Sequence, residues 1–190
     1  MIRPSLLRIE RLIATIFDTE TTGLIDNPAR KLEKQPEIIS FSAQTVNLAT
    51  GEFLNGNGYN TFIKPQNPIS AEITKITGIT NEQVKDMPHM HYFIDDILLC
   101  LEGSDLLIGQ NIRFDMDMVE IECRRLDKTI KWPKTLDLIQ NTIHLKGYRL
   151  SLTNLHIELF GEPFSGAHQA SVDVAITCKC ATELFKRGLL

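Results

Sequence analysis

Asp18 and Glu20 stand one residue apart at the end of an apolar run, Leu12 to Phe17, just ahead of the turn Thr21-Thr22-Gly23. If that run is a strand, residues two apart point to the same face, so the carboxylates converge while Thr19 faces away. Two acids held together at a buried strand end repel each other unless something positive lies between them. A divalent cation is the simplest such charge, and all-oxygen ligands select magnesium or manganese, ions used on phosphate. The pair alone decides nothing, because neighbouring acids at a strand end are more often solvated loop residues.

Two further stretches offer partners. Asp115 follows the apolar run Leu106–Gly109 and Asn111. A helix opening near Asn111 puts Asp115 in its first turns, where the macrodipole favours an acid whatever its function. Asp117 lies about 200° round that helix from Asp115, so the two cannot serve one site. His168 and Asp173 are about 140° apart if both are helical. They share a site only if His168 sits in the loop entering the helix that carries Asp173, and Gly166 suits such a loop. His89, His91, His144 and His156 read as histidines of no special consequence, and His89 and His91, two apart near a helix start, share no face.

These side chains need a scaffold. Leu12–Phe17, Pro36–Asn47 and Gly58–Lys64 read as three strands of an antiparallel meander, with turns at 49–52 and at Asn55-Gly56-Asn57-Gly58. Short helices open after the caps Ser70 and Thr80, the second with Gln83 placed for a capping box. Helical spacing then runs from Met90 to Leu101, from Ile112 to Leu126, from Leu152 to Phe160 and from Gln169 to Lys186. Short strands are expected at Asp105–Gly109 and Thr135–Leu138. Strands first, then alternating helices and strands, predict an α/β mixed sheet: a three-strand meander plus parallel strands, with helices on both faces. No linker or repeat interrupts it, so residues 1–190 are expected to form one domain with a core at about 12–187.

The bulk composition agrees. The chain has 190 residues, 43% apolar and 23% charged, enough for a full core and too balanced for disorder. Cys100, Cys123, Cys178 and Cys180 show neither metal spacing nor a disulfide ladder, and Cys178 and Cys180 fall on different sides of a helix; buried thiols in a reducing compartment are expected. Met1–Leu7 is too short for a secretory segment and no run could span a membrane, so a cytoplasmic location is expected. The net charge of -4 is unlike a general nucleic-acid binder but permits a nuclease, whose acids sit on cations. Basic residues cluster at Arg30-Lys31…Lys34, at Arg124-Arg125…Lys134 and at Lys146…Arg149, patterns more usual for a solvated face than for a phosphate track.

Together the pieces resemble one family. Phe17-Asp18-Thr19-Glu20-Thr21-Thr22-Gly23, Asn111-x-x-Phe114-Asp115, and His168 followed by Asp173 look like the three motifs of the DEDDh, DnaQ-like 3′-to-5′ exonucleases. Ile76-Thr77-Gly78-Ile79-Thr80 is similar to another family segment, and the resemblance runs from about Ala14 to Leu184. That family includes the exonuclease subunit epsilon of DNA polymerase III, ribonuclease T and oligoribonuclease. The chain departs from it at Gln110, where His is usual, at Met118, where an aromatic is usual, and at Thr77, another usual His. No carboxylate is lost, so the departures bear on substrate preference.

The resemblance implies a ribonuclease H-like fold and a two-metal hydrolysis. Asp18, Glu20, Asp115 and Asp173 would hold two Mg2+ or Mn2+ ions, and His168 would take the proton of the attacking water. Thr21, Thr22, Gly23, Leu24, Ile79, Asn111 and Phe114 would meet the terminal nucleotide. Nucleoside 5′-monophosphates would leave single-stranded or frayed 3′ ends of DNA. An exoribonuclease of the ribonuclease T or oligoribonuclease type is the alternative, and a non-catalytic nucleic-acid-binding module or a structural metal protein stand further off. A polymerase or repair partner acting in trans, and a homodimer, are compatible with the sequence.

Overall fold

A computed structural model describes residues 12–25, 31–54, 56 and 58–190. Met1–Leu7, Arg30 of the first basic cluster, and Asn55 and Asn57 of the expected reversal lie outside them.

The apolar run that delivers the acids does not stop at Phe17. It is the first part of β1 (Ile13–Thr21), and both acids lie within the strand. β1 pairs antiparallel with β2 (Ile38–Asn47) from Ile13↔Asn47 to Thr21↔Ile38, with an irregularity after Glu20. The outer edge of β2 is shared by two strands: the expected one, β4 (Tyr59–Phe62), and an unexpected two-residue strand, β3 (Glu52–Phe53). β5 (Leu106–Gly109) joins β1 in parallel, and β6 (Lys134–Asp137) joins β5 in parallel. The order is β3-β2-β1-β5-β6, with β4 also on β2. This is the mixed sheet the pattern called for, of the ribonuclease H-like kind the resemblance implied.

The helices are α1 (Ala71–Thr77), α2 (Asn81–Val84), α3 (Ile94–Glu102), α4 (Ile112–Arg125), α5 (Leu138–Asn141), α6 (Ile143–Lys146), α7 (Leu152–Phe160) and α8 (Ala170–Lys186). Ser70 caps α1, and Thr80 with Gln83 forms the expected capping box on α2. The helix expected from Met90 begins instead at Ile94, because Met90–Tyr92 forms a separate 3-10 turn. The single turns α5 and α6 were not expected; one turn is too short to show a helical period. Among the described residues no helix is long and apolar enough to cross a membrane.

Alternation along β1 gives each sheet face its own core. Ala14 and Ile16 pack with Val46 against Val174, Cys178, Ala181 and Leu184 of α8. Phe17 packs with Phe41 against Ile97, Met116 and Val119 of α3 and α4, and its ring lies 6.1 Å from Phe41 and 6.3 Å from Trp132. Cys178 and Cys180 both sink into the α8 side, although two positions apart on a helix, because α8 is covered on more than one side. Cys123 is buried and Cys100 partly so, and none forms a disulfide.

The second basic cluster is not a solvated face at Arg125. Its guanidinium donates to the carbonyls of Leu32, Gln35 and Pro36 and to Glu122 at 2.6 Å, while Glu122 also accepts from the Ile38 amide. A buried charge pair is retained only when its bonds are satisfied. Here it fastens the start of β2 to α4 and so fixes the strand that supports β1. In the third cluster, Lys146 pairs with Glu158 at 2.8 Å.

Candidate metal centre

Strand alternation and helix placement bring three of the predicted acids together. Asp18, Glu20 and Asp173 offer oxygens that all lie within 4.8 Å of one another. Asp18 and Glu20 share the face of β1 that α8 covers, beside their β2 partners Ser42 and Ser40. Asp173 arrives from the first turn of α8, which crosses β1 and β2. All three are only partly buried.

Asp115 comes from the opposite face, in the first turn of α4, and is 4% exposed. β5 pairs with β1 only at Thr15 and Ile16, which leaves the β1 edge beyond them without a strand neighbour on that side. A buried amide there needs an acceptor. Asp115 Oδ1 supplies it, accepting from the Thr19 amide at 2.9 Å and from the Thr19 hydroxyl at 2.7 Å. Thr19 does lie off the Asp18–Glu20 face, yet it is far from idle: it ties the acid of the second motif to the strand of the first. The signal was a hydroxyl residue between two acids, and alternation alone gave it no role.

The electrostatics are those of a crowded anionic centre. Burial, then the charges of Asp115, Glu20 and Asp173, hold Asp18 well above the usual carboxylate range. Burial, then Asp173 and Asp115, push Glu20 up to about 7. Burial raises Asp115 to about 7, the two Thr19 bonds pull it back, and Asp137 pushes it up again. Asp173 is raised by burial, with the His168 amide and charge opposing. Four acids raised together form a set that a divalent cation would stabilise in its ionised form. The donors are all carboxylate oxygens, which fits magnesium or manganese and not a thiolate-loving ion.

His168 sits where the argument required, in the loop ahead of α8. It has a left-handed backbone, φ 66°, and its amide donates to Asp173 Oδ2 at 2.9 Å. Its side chain is exposed. Asp117 stays out of the cluster, paired with Arg113 at 2.6 Å.

The predicted substrate contacts divide. Leu24, just past the turn that ends β1, is 81% exposed, and the space over Gly23 is open. Thr21 and Thr22 are already engaged: the Thr21 hydroxyl donates to the Gly23 carbonyl within the turn, and the Thr22 hydroxyl accepts from the Glu37 amide just ahead of β2. Ile79 is 5% exposed, in a small core with Ile39, Ile69 and Val84. It also lines a cavity of about 390 Å³ with Ser40, Phe62, Gln83 and Ser171, next to the Glu20 position. Phe114 is partly buried against the α4 core. Asn111 is exposed in a left-handed conformation, φ 65°, and its amide donates to Asp137 Oδ1 at 3.1 Å. Asp137, which the sequence did not single out, thereby fixes the turn that aims α4, and it also caps α5 through the Ile139 amide at 2.9 Å.

Two histidine readings change. The His89 and His91 rings stack with centroids 6.3 Å apart, since His89 precedes the 3-10 turn instead of lying on a shared helix. His156 is 2% exposed, with both ring nitrogens bonded.

A model of the exonuclease family RNase_T matches residues 15–181. The chain belongs to this family. Its motifs make it a DnaQ-like 3′-to-5′ exonuclease of the DEDDh type. Among its relatives, a PolC-type DNA polymerase III of Caldanaerobacter subterraneus is 28% identical over 176 residues, 90% of this chain and 11% of that protein. The DNA polymerase III subunit epsilon of Haemophilus influenzae is 33% identical over 116 residues, 61% of this chain and 43% of that subunit. The chain thus spans well under two thirds of the length of either relative. Among solved structures, E. coli ExoI with single-stranded DNA aligns with a TM-score of 0.75 at 20% identity, over 92% of this chain and 41% of that one. The nuclease domain of 3′hExo bound to rAMP aligns at 0.73 and 19% identity, over 93% and 92%. At these identities the likeness is one of fold.

Proposed function

We propose that this exonuclease, acting as one domain over about residues 12–187, hydrolyses single-stranded DNA from the 3′ end and releases nucleoside 5′-monophosphates. The observation that carries the reading is the convergence of Asp18, Glu20 and Asp173 oxygens within 4.8 Å, with Asp115 beside Asp18. These four acids would hold two Mg2+ or Mn2+ ions, which when bound activate a water and neutralise the leaving 3′ oxygen. Thr19 keeps one Asp115 oxygen occupied, so a single oxygen remains to face the centre. His168 accepts a proton from the attacking water as oxygen adds to phosphorus and the bond to the 3′ oxygen breaks. Leu24 and the cavity beside Glu20, with Phe62 and Ile79 in its wall, would receive the terminal sugar and base.

The DNA reading is supported by sequence relatives named as DNA polymerase III proteins. It implies work in the cytoplasm, in proofreading or repair, with a polymerase-type partner in trans. A manganese-dependent time course on matched 3′- and 5′-labelled DNA and RNA tests it. Monophosphates released from the 3′ end of DNA faster than from RNA are expected. Equal or faster release from RNA would replace the reading with an exoribonuclease, and binding without release would leave only a nucleic-acid-binding module.

A further inference from the structure

We propose that His156 is a positioning residue for the loop that carries His168; the inference rests on the reading of His168 as proton acceptor. His156 is 2% exposed in α7, and its Nδ1 lies 2.7 Å from the Glu162 carbonyl. A carbonyl oxygen only accepts, so Nδ1 carries the proton and Nε2 keeps its lone pair. Lys179 of α8 donates to that lone pair at 3.1 Å, with its ammonium 4.1 Å from the Phe160 ring centroid. One neutral imidazole, held in one tautomer, therefore joins α7, α8 and the loop between them.

That loop has little else to hold it. From Gly161 to Gln169 every residue is exposed except Phe164, whose ring lies 5.6 Å from His156 in an edge contact. Its anchors are the His156 bond to Glu162 and the Phe164 contact at the α7 end, and the His168 amide on Asp173 at the α8 end. His168 is itself the second anchor point, and its left-handed backbone is a conformation few side chains other than glycine adopt. Releasing the Glu162 bond leaves the α7 end of the loop, beyond Gly161, held by the Phe164 contact, and a displacement of about 1 Å at a reacting group costs on the order of a hundredfold when complete.

His156→Phe keeps a ring of similar shape and removes both nitrogens, whereas His156→Asn keeps a donor at the Nδ1 position. On 3′-labelled single-stranded DNA with manganese, His156→Phe is expected to lower kcat about tenfold, with KM and manganese affinity changed less than about twofold. Hydrogen exchange at residues 162–168 should quicken. His156→Asn should recover most of the rate. In a His168→Ala background the same Phe substitution should cost nothing more, because it acts only through His168. Equal losses in both backgrounds, or an unchanged rate in His156→Phe, overturn the inference. If the Phe variant does not fold, His156→Gln, which reaches Lys179 but not Glu162, takes its place in the cycle. Wild-type turnover in His168→Ala would bring down both readings; a loss there with none in the His156 variants brings down this one alone.

Discussion

The two flanks of the acid cluster are built in opposite ways. On the α4 side Asp115 is 4% exposed, and one of its oxygens takes two bonds from Thr19. On the α8 side His168 is exposed, its backbone is left-handed, and its bond to the site runs through its amide to Asp173. The difference matches two chemical tasks. A carboxylate that shapes a cation site must hold its place when no ion shields it from its neighbours. A proton acceptor must reach water and give its proton up again. The rigid flank is made of sheet edge and helix start; the open flank is a loop.

The largest effect expected falls on the acids shared by both flanks. Asp18→Ala should lower hydrolysis by on the order of 10⁴-fold or more, measured as release of monophosphate from labelled DNA. The metal-free variant should melt at the same temperature as the parent or higher, since an acid raised by burial and by the charges of Asp115, Glu20 and Asp173 is gone. Retained hydrolysis would remove the metal centre itself.

Next comes the open flank. His168→Ala should cost about 10²–10⁴-fold in rate, the usual worth of a general base, while manganese titration stays close to that of the parent. A collapse of manganese binding would make His168 a ligand and erase the contrast between the flanks.

The rigid flank should give a smaller loss. Thr19→Val keeps shape and amide but drops one of two bonds to a buried carboxylate, an interaction worth about 1.5–3 kcal/mol. Manganese affinity should fall about tenfold, as for other groups that orient a ligand, and Thr19→Ser should restore it. If Val and Ser variants titrate alike, the amide alone holds Asp115 and the flank is less rigid than its geometry suggests.

The legibility of the chain follows the same divide. The acids could be read because strand alternation and helix placement are local rules: Asp18 and Glu20 two apart, Asp173 in the first turn of a helix, His168 in the loop before it. The sheet could be read because the meander and the later strands keep separate patterns. What escaped was long-range. Thr19 meets Asp115 across ninety-six positions of sequence. Asp137 meets Asn111 because β6 ends beside β5, and Arg125 meets carbonyls about ninety residues earlier. His156 looked ordinary because nothing near it in sequence reveals that Lys179 and Glu162 close on its ring. β3 was missed because two residues show no period.

The smallest expected effect is on stability, and it spans both flanks. Glu20 and Asp115 are raised to about 7 in the folded chain, and Asp18 and Asp173 are raised too. Unfolded carboxylates titrate near about 4. Between about pH 4 and about pH 7 the folded state therefore binds more protons than the unfolded state, so stability falls as pH rises across that window. Below it both states are protonated and the acids contribute nothing; above it Glu20 and Asp115 are ionised and their share of the repulsion is complete. In EDTA the melting temperature should be higher near pH 5 than near pH 8, and Asp18→Ala should flatten the difference. Added manganese should recover stability near pH 8, because it binds the ionised set and only the folded chain assembles that set. Since Asp115 is pulled back by Thr19, Thr19→Val should steepen the fall, whereas His168→Ala should alter it only through the charge it removes from beside Asp173. A metal-free melting temperature that rises from pH 5 to pH 8, equally in parent and Asp18→Ala, would mean that the acids do not crowd one another, and with that the contrast between a clamped flank and an open one would lose its electrostatic basis.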